Sequence, residues 1–166
     1  LKPKDLIGIP WRLAFALQED GWYLRSDIVW NKPNAMPESV KDRPTRSHEY
    51  LFMLTQSERY YYDSESVKEV GVNGKLRNRR SVWNVKTQGF PGAHFATFPQ
   101  SLIEPCILAS TKPGDYVLDP FFGSGTVGVS CLDLDRRYVG IELNPEYVSL
   151  AAERLSIKEN NIIKVA

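Results

Sequence analysis

The 166 residues predict an α/β protein built on parallel strands, and three observations carry that expectation. From residue 113 onward, short apolar runs alternate with helical patterns in the order YVLDP, TVGVSCLDLD, RYVGIELN and PEYVSLAAERL, a β-α-β-α series. A glycine turn, FFGSGT over 121–126, joins the first of these strands to its helix. Hydrophobic residues make up 42% and charged residues 25%, ordinary values for a chain that encloses a core.

The earlier elements follow the same rules. Residues 5–20 place Leu6, Ile9, Leu13, Ala16 and Leu17 at helical spacing, and Asp20-Gly21 is a suitable stop. WYLRSDIVWNK then reads as a strand ending in Ile28, Val29 and Trp30. Residues 32–49 are polar and carry three prolines, so they form a long loop of the sort usually kept for function. YLFMLTQ (50–56) is a second strand, and RYYYDS (59–64) is expected to pair with it as a hairpin. A weakly structured basic stretch runs to residue 80, and SVWNVKT supplies a short strand. SLIEPCILAST (101–111) is an apolar helix with Ser101 as its expected cap.

Composition excludes several classes. No apolar run approaches the ~18 residues of a membrane span, and no signal peptide is visible. Cys106 and Cys131 lie in apolar helical segments and read as buried thiols of a reducing, cytoplasmic compartment. Two histidines and two separated cysteines make no zinc site, so no metal is expected. Net charge is only +1, yet Lys75, Arg77, Arg79 and Arg80 fall together with no acid among them.

Gly123 and Gly125 let backbone N–H groups approach a ligand, and Thr126 opens the following helix. Glu142, at the end of the next strand, follows Asp119 by 23 positions, near the interval at which an acid grips ribose hydroxyls. Gly128 completes a formal G-x-G-x-x-G. Asp119 argues against a pyrophosphate, because a carboxylate at the strand end repels phosphate. It suits a ligand with a cationic end, such as the amino group or sulfonium of S-adenosylmethionine. The competing reading, in which Asp119 only caps the turn and Glu142 is a solvated strand end, must explain why acid, glycines and second acid share one β-α-β unit.

LDPFFGSGTVG with GIELNPEY resembles the cofactor-binding half of the amino-methylating DNA methyltransferases, which make N6-methyladenine or N4-methylcytosine. GAHFATFPQSLIEPCI resembles the family's segment just before the glycine turn, and SDIVWNKPN and RPTRSHEYLFMLTQSERYYYD resemble its middle strands and target-facing loop. The motif order is that of the permuted beta group, where cofactor binding comes last. The resemblance implies a Rossmann-like S-adenosylmethionine-dependent methyltransferase fold with an incomplete sheet and a β-hairpin at one side. It implies one partial domain, with middle strands and target-facing loops over 1–92 and the cofactor-binding half over 93–166.

The family's catalytic tetrapeptide contains Pro-Pro, which this chain lacks. NPEY (144–147) comes nearest, but Asn144 as N-cap and Pro145 as first helical residue explain it better. The beta order places the true tetrapeptide N-terminal to Leu1, so the chain alone is expected to be inactive. In the family, hydrogen-bond acceptors of that tetrapeptide localise the amine lone pair, and the flipped base is positioned against the methyl donor.

Residue by residue, the resemblance carries S-adenosylmethionine binding onto Asp119, Phe121, Gly123, Gly125 and Thr126 at the methionine end, Glu142 at the ribose, Asn144 near the adenine, and Thr97 and Phe98 beside the tail. Amino methylation needs no strong base, so His94 is expected to be structural or to support the site from behind rather than to act as one. Contact with double-stranded DNA is expected from Lys41, Arg43 and Arg46 on the proline-rich loop and from Lys75, Arg77, Arg79 and Arg80; on the residues alone, a solvated charged loop fits equally well. Trp30, Tyr60, Tyr61 and Tyr62 read mostly as core. A homodimer and a restriction endonuclease partner are compatible with the chain but carried by no residue in it. Two other functions fit the same fold: a methyltransferase acting on RNA, protein or a small molecule, and a non-catalytic nucleic-acid-binding piece.

Overall fold

The computed structural model describes residues 1–88 and 97–156, and the chain forms two compact units. The first comprises residues 1–60 with 80–84, and the second 61–79 with the described part of 85–166.

In the first unit, helix α1 (Ile9–Glu19) packs on a three-stranded sheet of β1 (Tyr23–Asn31), β2 (His48–Thr55) and β5 (Val82–Asn84), in the order β2-β1-β5. Helix α1 starts after Gly8, held at φ 69, and Pro10 is preset for a first turn. It stops where Gly21 takes φ 101, which only glycine adopts cheaply, so the Asp20-Gly21 stop is as expected. The covered face of α1 differs from the stripe read in the sequence. Ala14 is buried and Trp11 lies edge-on to Tyr50 and Phe52 of β2, while Ile9 and Leu13 are exposed. The helix is apolar around much of its circumference, and periodicity alone does not say which side meets the sheet.

β1 and β2 are antiparallel partners from Tyr23↔Thr55 to Asn31↔His48, with the irregularity between Leu24 and Ser26. The hairpin therefore closes through the 32–47 loop. RYYYDS is not a strand: β2 ends at Thr55, and Ser57 Oγ turns back to the Arg59 carbonyl. β5 joins the other edge of β1 in parallel, aligning Trp30 with Trp83 and Asn31 with Asn84, whose side-chain amides bond at 2.7 Å.

In the second unit, β3 (Glu69–Val70) and β4 (Leu76–Arg77) make a small hairpin where the sequence suggested a weakly structured stretch. Gly71 donates to the Lys75 carbonyl at 2.8 Å, and Gly74 turns the chain at φ 73. The remainder is the expected series: α2 (Gln100–Ser110), β6 (Tyr116–Asp119), α3 (Thr126–Asp133), β7 (Arg137–Gly140) and α4 (Pro145–Ser156). Ser101 is inside α2 and not its cap; Pro99 holds that position with extended geometry. Asn144 caps α4 as expected, its Oδ1 accepting the Glu146 N–H at 2.9 Å.

β6 and β7 pair in parallel, and the helices cover one face. Ile107, Val127 and Cys131 pack with Phe98, Ile103, Val117, Leu134 and Tyr138; Val129, Ala151 and Leu155 pack with Phe122, Leu132 and Tyr138. Each fully buried aliphatic side chain here contributes about 1.5–3 kcal/mol. Arg136 ties the layer together, donating to the Thr111 carbonyl and hydroxyl and to the Leu134 carbonyl, near the C-terminal ends of α2 and α3. The opposite face of β6 is bare, with Tyr116 53% and Leu118 62% exposed. With β6 and β7 alone in it among the described residues, this sheet is incomplete, as the resemblance implied. Burial pushes the thiols of Cys106 and Cys131 up to about 11, so both stay protonated and inert. Among the described residues, no helix is long and apolar enough to cross a membrane.

Candidate cofactor site

The site stands at the C-terminal ends of β6 and β7, where an open α/β sheet places its ligands. Asp119 ends β6, and its Oδ1 accepts the Phe121 N–H at 2.9 Å, forming an Asx turn. Its Oδ2 has no protein partner among the described residues. The two phenylalanines then part company. Phe121 is 88% exposed. Phe122 turns inward and stacks on Tyr138, with ring centroids 5.6 Å apart.

The Phe122 ring accounts for two glycines. A Cβ on Gly140 would lie 2.4–2.6 Å from three Phe122 ring atoms, and a Cβ on Gly128 2.7 Å from the ring tip. Gly128 thus serves packing, which explains the formal third glycine of the dinucleotide pattern without any phosphate. The Phe122 backbone is fixed as well: its N–H donates to the Ile141 carbonyl and its carbonyl accepts from Gly125, both at 2.9 Å.

Gly123 and Gly125 have φ values of 51 and 77, in the left-handed region that side chains resist. Gly125 is the N-cap of α3, and no side chain caps that helix. The first-turn N–H groups carry the positive end of the helix dipole. Thr126 is buried, with its hydroxyl accepting from Arg154 at 3.2 Å, so its backbone rather than its side chain belongs to the open side.

Glu142 crosses from the β7 end to this turn. Its Oε2 accepts the Gly123 N–H at 2.7 Å and its Oε1 the Asn144 N–H at 2.9 Å. The Asn144 and Gly123 amides together hold this carboxyl below the usual glutamate range, against a smaller opposing effect of burial. Each oxygen keeps a further lone pair for a ligand hydroxyl. Next to it, Leu143 is 96% exposed. Bare Phe121 and Leu143 therefore flank an anionic, hydrogen-bonded carboxylate and an open helix start.

The structure brings Asp119, Phe121, Gly123, Gly125, Thr126, Glu142 and Asn144 into this one turn-and-strand-end constellation. Phe98 packs against the Ile107–Val127–Cys131 core, and Thr97 donates from Oγ1 to the Gln88 carbonyl at 3.4 Å. His94 lies outside the described residues. Sequence reasoning missed Phe122, Gly140 and Arg154. The first two had a weak signal in the FF pair and in a glycine inside a strand; Arg154, 30 positions from Ser124, had none.

The basic residues are unevenly free. On the 32–47 loop, Arg43 is paired with Glu38 at 2.7 Å, and the same carboxylate accepts the Arg46 backbone N–H. The Lys41 and Arg46 side chains extend into solvent. On the β3–β4 hairpin, Arg77 is paired with Glu69 at 2.7 Å and Lys75 is exposed. Arg79 is half-buried and Arg80 exposed, with the Arg80 carbonyl taking the Trp83 indole N–H. Trp30 is buried as expected, with Lys32 over its ring at 4.3 Å. Tyr60, Tyr61 and Tyr62 are instead partly exposed, because the segment carrying them is not in a sheet; Arg25 lies over Tyr60 and Lys112 over Tyr61.

An open α/β strand-end site with an acid-bound glycine turn is where nucleotide-containing ligands bind in such sheets. The family model described as DNA methylase, of the N6/N4 methyltransferase type, matches residues 4–153, and the chain belongs to that family. It is 78% identical over its whole length to the type II methyltransferase M.Cfr9I of Citrobacter freundii, covering 55% of that protein. Over 157 residues it is 65% identical to the type II methyltransferase M.SmaI of Serratia marcescens, covering 54% of it. The chain thus spans about half the length of the curated relatives it matches. Among solved structures, it resembles the M1.HpyAVI–SAM complex with a TM-score of 0.72 at 28% identity, covering 91% of this chain and 71% of that one. The cytosine-N4-specific PvuII DNA methyltransferase matches with a TM-score of 0.74 at 25% identity, covering 95% and 62%. These matches agree with the Rossmann-like methyltransferase fold expected from the sequence.

Proposed function

We propose that this chain is the cofactor-binding and target-facing part of an S-adenosylmethionine-dependent DNA methyltransferase acting on the exocyclic amine of adenine or cytosine. The observation that carries the reading is Glu142, anionic and seated on the Gly123 amide at the end of two parallel strands. The cofactor supplies an electrophilic sulfonium methyl. The chain's residues fit such a ligand. Glu142 accepts from ribose hydroxyls, the free Asp119 oxygen attracts the cationic methionine end, and the uncapped start of α3 attracts its carboxylate. Phe121 and Leu143 offer apolar surface, Asn144 holds the helix beside it, and Thr97 and Phe98 are assigned to the methionine tail. Residues 93–166 form the cofactor-binding half in this reading, and 1–92 the middle strands and target-facing loops.

Lys41, Arg43, Arg46, Lys75, Arg77, Arg79 and Arg80 are assigned to duplex DNA, with Lys41 and Arg46 the strongest on the first loop because Glu38 neutralises Arg43. The type II designation of the relatives supports a restriction–modification setting. The transfer chemistry is assigned to the full-length protein, since no Pro-Pro tetrapeptide occurs within these 166 residues. Calorimetric titration of S-adenosylmethionine into the full-length protein tests the reading, followed by transfer of labelled methyl. Binding with transfer to duplex DNA is expected. Absence of binding refutes the reading, and transfer to RNA but not DNA replaces the substrate.

A further inference from the structure

Glu142 holds the glycine turn from the strand side. A second hold comes from behind, through Arg154 of α4. Its Nη1 lies 3.1 Å from the Ser124 carbonyl, 3.3 Å from Ser124 Oγ and 3.2 Å from Thr126 Oγ1. Ser124 and Thr126 are both buried, and the guanidinium is itself half-buried. Withdrawal from water strengthens such charge-assisted bonds.

The Ser124–Gly125 peptide shows what this arrangement does. In a trans peptide the carbonyl and the N–H point in opposite directions. Here the Ser124 carbonyl meets Arg154, and the Gly125 N–H meets the Phe122 carbonyl at 2.9 Å. Both ends of that plane are pinned, which fixes the orientation of the flanking N–H groups at a point where two glycines would otherwise leave the backbone loose.

We infer that Arg154 is a positioning residue for the cofactor turn, keeping residues 123–126 in the geometry in which the Gly123 N–H holds Glu142 and the start of α3 stays open to the ligand. This rests on the function proposed above. All three contacts come from Nη1, and a lysine ammonium, one bond closer to its own backbone, falls short of that position.

The test uses the full-length protein, with S-adenosylmethionine as probe, in calorimetry and thermal unfolding. Arg154→Gln is expected to weaken binding about tenfold, the equivalent of one charge-assisted hydrogen bond, with Arg154→Lys recovering part of the loss. Arg136→Gln removes a comparable set of bonds at the far ends of α2 and α3; it is expected to lower the melting temperature while binding stays within about twofold. Equal loss of affinity in Arg154→Gln and Arg136→Gln overturns the inference, as does wild-type affinity in Arg154→Gln. If Arg154→Gln does not fold, Arg154→Lys decides alone: weaker binding supports the role, and unchanged affinity overturns it. Wild-type protein that binds no cofactor overturns the proposed function and this role with it, an outcome distinct from a binding wild type with an indifferent variant.

Discussion

Gly140→Ala is the sharpest perturbation of the turn. Gly140 ends β7 with no positive φ, so alanine is conformationally acceptable there and by itself would stabilise by about 0.4–1 kcal/mol through the unfolded chain. Against that stands the Phe122 ring, three of whose atoms would lie 2.4–2.6 Å from the new Cβ. The ring cannot step aside easily, being stacked on Tyr138 and packed with Val129, Ala151 and Leu155. Overpacking of this kind costs about 1–3 kcal/mol, and a clash with a whole ring falls at the upper end. The clash wins, and a net loss of about 2 kcal/mol is expected. With a urea slope of about 2 kcal/mol per molar, the midpoint falls by about 1 M. Gly128→Ala is milder: its clash is with one ring tip at 2.7 Å, and the gain in helix propensity of up to about 1 kcal/mol opposes it. Urea titration of both variants, with Phe122→Leu and the double variant Gly140→Ala/Phe122→Leu, completes the cycle. The double variant should be more stable than the sum of the single losses, by about 1 kcal/mol, because a smaller side chain leaves room for the methyl. Additive losses, or a change under about 0.5 kcal/mol in Gly140→Ala, would refute the slot.

Two further outcomes follow from the electrostatics. The folded-state pKa of Glu142 lies below its ordinary value of 4.5, so its contribution to stability is fully present above that pH and is lost as the pH falls through the depressed folded value. Glu142→Gln should flatten the pH dependence of the urea midpoint below pH 4.5 and weaken S-adenosylmethionine binding; an unchanged acid slope would sink the assignment. For DNA, Lys41→Ala and Arg46→Ala should each lower the salt slope of duplex binding by about 1, while Arg43→Ala, already paired with Glu38, should change it less.

The second unit was the more legible in the sequence. From α2 onward its strands and helices are short, regular and separated by glycine or a capping Asn144, so local pattern and turn chemistry agree with the tertiary outcome, whereas the β3–β4 hairpin before them was not read. The first unit was read less well. RYYYDS, which begins at its boundary and continues into the second unit, has strand composition, yet no strand forms there, and β2 pairs with β1 alone through a loop that sequence does not close. Helix α1 was found, but not the face it covers: Trp11 and Ala14 meet the sheet because that side complements Tyr50 and Phe52, a matter of shape and not of period. At the site, Asp119, the two turn glycines and Glu142 were legible because each residue type answers a local demand for charge or positive φ.

Periodicity in the sequence determined the α/β class, the resemblance of its motifs pointed to the family, and the turn glycines and strand-end acids were legible in it as residue types that answer local demands for positive φ and charge. The tertiary structure alone decided how the turn is held. Phe122 between Gly128 and Gly140, Glu142 on the Gly123 amide and Arg154 behind Ser124 are contacts between residues 6 to 30 positions apart. Their strength comes from distance, direction and exclusion of water, quantities that exist only once the strands and helices have packed.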